Sequence, residues 1–125
     1  MRRSQRRILI AAIVAAPSCV PSLVEATTRT WVNVSGQWQT ASNWSGNQVP
    51  QTGDDVVIVN SDAVNRVVSY SSTVSIHSLA IGNAGTGTNR LNITAGELDA
   101  NIEKISTSLD KGMITQTGGT NSLTL

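Results

Sequence analysis

Two pairs of carboxylates are the residues whose type and spacing suit chemistry. The first pair, Asp54 and Asp55, is adjacent in the chain. Adjacent residues of a strand point to opposite faces, so these two carboxylates are not expected to flank one substrate. An Asp that follows Gly typically accepts backbone N–H groups at the start of a strand, and we expect that structural role. The alternative is calcium binding, for which one pair supplies few of the roughly six to eight oxygen ligands needed.

The second pair, Glu97 and Asp99, is two residues apart and would share one face of a strand. Glycoside hydrolysis uses two carboxylates at a defined separation, so this pair is the candidate site of a polysaccharide-active enzyme. Leu98 between them is expected to face inward, and no basic or third acidic residue stands directly beside them. We therefore expect the pair to lie on a solvated face.

His77 is the only histidine, and it is expected to point outward from a strand. One His without a neighbouring Cys gives too few ligands for zinc or copper. The glycine-rich run 82–88 precedes neither a Lys nor a helix, as a phosphate-binding loop requires, and is predicted to be a flexible loop that leaves the fold. The sequence therefore predicts no catalytic residue, no metal ligand and no cofactor.

Residues 1–26 have the pattern of a secretory signal peptide. Four Arg precede an apolar run of nine residues, which is shorter than a membrane-spanning helix. The small residues near Ala26 suit signal peptidase, so we expect cleavage there, a secreted or cell-surface protein, and membrane contact only through export. The twin-arginine and general secretory routes both stay open. Cys19, the only cysteine, would be acylated in a lipoprotein, which Pro17 disfavours.

The charge distribution argues against a nucleic-acid partner. The first 26 residues hold four Arg and one Glu, whereas the other 99 hold five Lys or Arg and seven Asp or Glu, a net charge of −2. The formal charge of +1 for the whole chain is therefore due to the leader. A basic patch that would neutralise phosphates is not indicated.

The composition and spacing of the mature chain predict an all-β fold. Val, Ile and Thr make up 31 of its 99 residues, and β-branched side chains suit a pleated surface. Apolar residues alternate at a spacing of two, and the phase changes between Ile76 and Leu79, which predicts a corner or bulge there instead of one long strand. Matches 23 residues apart join Leu79 to Ile102 and Leu125, Leu91 to Ile114, and Gly96 to Gly119.

A period near 23 with polar, glycine-containing corners is typical of one coil of a solenoid. We therefore predict a right-handed parallel β-helix of about four coils, with an ordinary β-sandwich as the alternative. Residues 56–125 would form the coils, and residues 27–55 would form a Trp-rich N-terminal cap. The residues assigned to that cap are Trp31, Trp38, Trp44, Pro50, Asp54 and Asp55.

Large aromatic rings would cover the open end of a solenoid, where strand edges and core side chains are otherwise exposed. The alternative role for the three Trp is a platform on which sugar rings stack. The other end of the chain stops within an apparently inward-facing strand. We therefore expect either a truncation at Leu125 or self-association through the open C-terminal coil.

The N-terminal motifs of the mature chain resemble the opening of bacterial surface proteins with parallel β-helix passengers, of the autotransporter or planctomycete-type PEP-CTERM kind. The motifs are Trp31, Gly36-Gln37-Trp38, Ala41-Ser42-Asn43-Trp44, Val49-Pro50 and Gly53-Asp54-Asp55-Val56-Val57-Ile58. Later coils of those proteins are matched by Ser78-Leu79-Ala80-Ile81-Gly82, Leu91-Asn92-Ile93-Thr94-Ala95-Gly96-Glu97-Leu98 and Ile114-Thr115-Gln116-Thr117-Gly118-Gly119.

The resemblance implies a non-catalytic role in adhesion or surface coating and supplies no catalytic residues. We therefore expect an exported surface protein whose partners are surface polysaccharide or other cell-surface components. The alternative is a fragment of a polysaccharide lyase or hydrolase on the same fold, because fold alone does not determine function.

Overall fold

The computed structural model describes residues 25–105 and 111–124 and shows a parallel β-solenoid of about four turns. The predicted signal peptide lies outside these residues except for its last two positions, and Leu125 also lies outside them. Within the described part of the chain, no helix has the length and apolarity needed to cross a membrane.

The described strands form two parallel sheets. They are β1 (Thr28–Thr30), β2 (Ser35–Gln37), β3 (Asp55–Asn60), β4 (Arg66–Tyr70), β5 (Thr73–Asn83), β6 (Asn89–Ile93), β7 (Glu97–Ile105), β8 (Gly112–Gln116) and β9 (Thr120–Leu123). One sheet has the order β1-β3-β5-β7-β9 and the other the order β2-β4-β6-β8. Each turn thus adds one strand to each sheet. The predicted solenoid is confirmed, and the alternative of an antiparallel sandwich is wrong.

The core consists of columns of inward side chains that stack from turn to turn. Val68, Leu91 and Ile114 occupy one register position on β4, β6 and β8, and Ile58 pairs with Ile81 in the other sheet. Except for the half-buried Ile114, these side chains are fully buried. Burial of each large aliphatic side chain contributes about 1.5–3 kcal/mol. Each column therefore stabilises two turns at once.

The 23-residue period is confirmed for some of the matched pairs and wrong for another. Leu91 does pair with Ile114, whereas Leu79 pairs with Glu103. The reason lies in the corners: two residues join β4 to β5, but three residues, 94–96, join β6 to β7. The step from β5 to β7 is consequently one residue longer, and Ile102 points outward with 53% of its surface exposed.

The expected break between Ile76 and Leu79 is a change of phase within one strand. β5 is continuous from Thr73 to Asn83, so the prediction of two separate strands is wrong. Ile76 and Leu79 are both buried, while His77 and Ser78 between them lie toward solvent. Two consecutive outward residues interrupt the usual alternation, so β5 changes its inward face at this point.

The glycine-rich run 82–88 is a stacked corner, so the prediction of a loop leaving the solenoid is wrong. The Gly87 amide donates to the Asp62 carbonyl oxygen over 2.9 Å. A Cβ atom at Gly85 or Gly87 would overlap the backbone of the preceding corner. Glycine is required here because it lets two corners approach closely.

The corner glycine Gly96 provides a test of this stacking. Gly96 and Gly53 both have positive φ angles, +75° and +85°, which cost other residues about 1–2 kcal/mol. A Cβ at Gly96 would also overlap the Ser72 carbonyl oxygen, whereas nothing lies within 4 Å of a Cβ at Gly53.

We therefore expect Gly96→Ala to destabilise the protein by about 1–3 kcal/mol more than Gly53→Ala. Denaturant titration of both variants measures the difference in unfolding free energy. Equal losses would show that the turns are less tightly stacked at this corner.

Candidate functional site

The three tryptophans form one buried cluster inside the first turn. Trp31 and Trp44 meet edge to face with ring centroids 5.0 Å apart, and Trp38 packs on Trp44 at 4.8 Å and on Tyr70 at 5.0 Å. The Trp44 indole N–H donates to the Trp38 carbonyl oxygen over 2.6 Å. Such aromatic pairs add about 0.5–1.5 kcal/mol to the burial of their surface, so the cluster holds the first turn onto the second.

The long connection between β2 and β3 places Trp44 in this cluster. It contains two short 3-10 helices, Ala41–Asn43 and Ser45–Asn47. The Thr30 amide of β1 donates to Ser45 Oγ over 3.0 Å, and the Val32 amide donates to the Asn43 carbonyl oxygen over 2.9 Å. The connection thus satisfies backbone donors along the free edge of the first strand, as a cap would.

The tryptophan rings offer no stacking surface for a sugar in this conformation. Trp31, Trp38 and Trp44 are 1%, 1% and 0% exposed. A sugar platform requires an exposed ring face, whereas here each ring is enclosed by protein. The geometry therefore favours a packing role for the cluster over the alternative of glycan stacking.

Asp54 joins three segments of the first turn. Its carboxylate accepts hydrogen bonds from the Gln51 amide over 2.9 Å and from Arg29 Nε over 3.1 Å, and it also accepts the Thr27 amide over 3.3 Å. Asp54 is 4% exposed, and Pro50 just before this turn is also buried. A buried carboxylate needs such partners, and the bond to Gln51 is the turn contact that the sequence predicted.

Asp55 lies on the opposite side of the chain from Asp54. Its Oδ1 contacts His77 Nδ1 over 2.8 Å and accepts the Ser78 hydroxyl. These hydrogen bonds, chiefly the one from Ser78, lower the pKa of Asp55 below its usual value. The two carboxylates therefore diverge as predicted. Among the described residues, no group of three or more His, Cys, Asp or Glu side chains is placed to hold a metal.

A cleft of about 370 Å³ opens beside the contact between Asp55 and His77. It lies where β5 changes its inward face. Its lining residues are Ala26, Thr52, Gly53, Ser75, Ile76, His77 and Asn101. Sequence reasoning missed this cleft because its residues come from separate turns, although the outward position predicted for His77 agrees with its exposure.

Glu97 and Asp99 both face outward from β7, and Leu98 between them is fully buried. Asp99 Oδ1 accepts hydrogen bonds from Ser122 Oγ over 3.1 Å and from Thr124 Oγ1 over 2.7 Å. Asp99 thus links β7 to β9, while Glu97 is exposed. This placement agrees with the predicted solvated face.

A polar corner that the sequence analysis missed stabilises the second and third turns. Asn83 is fully buried, and its Oδ1 accepts the amides of Asp62 and Gly85. Arg66 forms a two-pronged contact with Asp62, which lowers the pKa of the Asp62 carboxyl strongly. Asn89 Nδ2 donates to backbone carbonyl oxygens at two levels. The 23-residue spacing of Asn60 and Asn83, which pair in the structure, was the available signal.

Comparison of this chain with protein-family models, with curated proteins and with solved structures finds no match. The likeness to surface β-helix proteins therefore stays a resemblance of motifs.

Trp38 provides the test of the cluster. We expect Trp38→Ala to destabilise the protein by about 3–5 kcal/mol, because deletion of a buried large aromatic side chain leaves a cavity. Val34→Ala is the matched control, because Val34 lies in the same turn with 53% of its surface exposed. Thermal and denaturant unfolding of both variants measures the effect. A Trp38→Ala variant that unfolds like the parent but loses glycan binding would instead support the sugar platform.

Proposed function

We propose that this protein is an exported, non-catalytic β-solenoid of the bacterial cell surface with a structural or adhesive role. The observation that carries the proposal is the regular stack of parallel strands, whose first turn is closed by a buried tryptophan cluster. A solenoid of this kind presents long outward faces at fixed spacing. Such faces suit contact with surface polysaccharide or with other surface components.

The arrangement of Asp55, His77 and Ser78 supports a non-catalytic role. A nucleophilic serine must contact the histidine that accepts its proton. Here the Ser78 hydroxyl donates to Asp55 instead, and His77 Nδ1 contacts the same carboxylate oxygen. Both side chains therefore join β5 to β3 and do not form a proton relay.

A polysaccharide-active enzyme is the second candidate, and the shared outward face of Glu97 and Asp99 is the observation in its favour. Two carboxylates are the minimum for glycoside hydrolysis. The two hydroxyls that Asp99 accepts support its structural use. Release of reducing ends from a polysaccharide, lost in Glu97→Gln, would favour the enzyme over the surface role.

The export proposal is tested on the native protein in its producing cell. We expect mass spectrometry of the exported material to find Thr27 as the first residue, because the leader pattern places cleavage after Ala26. Protease treatment of intact cells should remove surface-bound protein. Met1 at the start of secreted protein, or protein found only inside the cell, would contradict the proposal.

We further propose that the C-terminal strand edges pair with a second copy of the chain. In the described residues no strand pairs with the outer edges of β8 and β9. Leu123 stacks over Ala100 at an inward position, yet 50% of its surface is exposed. Exposed strand edges with apolar side chains favour association.

Leu123→Lys should therefore reduce self-association more than Ser122→Lys, which changes the neighbouring outward residue of the same strand. Sedimentation at several protein concentrations measures the effect. A parent protein that stays monomeric at the highest concentration would contradict this proposal.

A further inference from the structure

The cleft beside His77 crosses several turns of the solenoid. Ala26, Gly53, Ile76 and Asn101 come from four successive levels of one stack, as the register of the sheet requires. Neighbouring strands are about 4.8 Å apart, so three steps give a groove roughly 14 Å long. The groove therefore runs along the solenoid axis, across the strands.

The side chains that line this groove have unused hydrogen-bonding groups. No hydrogen bond between described residues engages the side chains of Thr52, Ser75 or Asn101. His77 uses Nδ1 for Asp55, whose lowered pKa keeps that carboxylate ionised and accepting. The Nδ1–H is thereby fixed, and Nε2 is left as an acceptor. Hydroxyl, amide and imidazole groups thus line one recess.

This chemistry discriminates between classes of ligand. The lining contains no Lys or Arg, and the carboxylates of Asp55 and Asp99 stand next to it, so an anionic polymer would be repelled. A peptide that adds as a strand needs a free backbone edge. β5 is already paired with β3 on one side and with β7 on the other, so no such edge is available at the groove.

We propose that this groove binds a linear, neutral polysaccharide, whose hydroxyls exchange hydrogen bonds with His77, Asn101 and the hydroxyl side chains. A volume of about 370 Å³ lies in the range of ligand clefts. The inference rests on the proposed surface role and names the site and the class of its partner. The tryptophan cluster takes no part, because its rings are buried.

The experiment measures binding of neutral hexasaccharides to the purified protein by calorimetry and by NMR chemical shifts. Cellohexaose, maltohexaose and mannohexaose serve as probes, and polygalacturonate is the acidic comparator. We expect at least one neutral probe to bind with a Kd of about 1 mM or lower. We expect Asn101→Ala and His77→Ala each to weaken that binding roughly fivefold, the effect of one lost hydrogen bond.

Thr120→Ala is the matched control, because Thr120 is exposed on the same sheet but does not line the groove. His77→Ala also removes the contact with Asp55, so its thermal unfolding is recorded, and Asn101→Ala carries the test if that variant is unfolded. The proposal is overturned if no neutral probe binds at about 10 mM, if Asn101→Ala binds like Thr120→Ala, or if polygalacturonate binds more tightly.

The same measurements separate this inference from the surface role. A surface-located protein that binds no neutral probe would overturn the groove and leave the surface role intact. Binding by a protein that stays inside the cell would overturn the surface role and leave the groove intact.

Discussion

In-register stacking of parallel strands is the constraint on which the rest of this structure depends. One turn cannot bury its inward side chains by itself, because it is only one strand thick in each sheet. The column of Val68, Leu91 and Ile114 shows the solution: each side chain covers its neighbours in the adjacent turns. Corners must then stack as closely as strands, which explains why Gly85 and Gly96 stand where a side chain would strike the preceding backbone.

The same constraint makes the first turn a special case, because it has a neighbour on one side only. The connection after β2 folds back, supplies Trp44 to the interior and satisfies the Thr30 and Val32 amides. Buried aromatic rings, which elsewhere can recognise sugars, are used here for packing. Ligand recognition, if it uses this scaffold, must therefore come from the outward polar side chains.

Parallel stacking also determines which outward residues meet. Asp55, His77 and Ser78 are drawn together because β3 and β5 are neighbours, and the resulting contacts hold two turns in place. The groove arises in the same way, since Gly53 and Asn101 are brought into one recess only by the register. Residues with suitable chemistry thus occur together without forming a catalytic relay, which is why the hydrogen-bond pattern and not the residue set guides the proposed role.

The sequence alone determined the all-β class, the solenoid and the tryptophan-rich first turn, because β-branched composition, alternation and a repeat near 23 residues are properties of the chain itself. It also predicted that Asp54 and Asp55 diverge, since adjacent strand residues must do so. Only the tertiary structure decided the pairing of Leu79 with Glu103, the continuity of β5 and the stacked corner at 82–88. These features depend on corner lengths and on contacts between turns. A one-residue difference in a corner shifts every later pair, and the local pattern does not contain it.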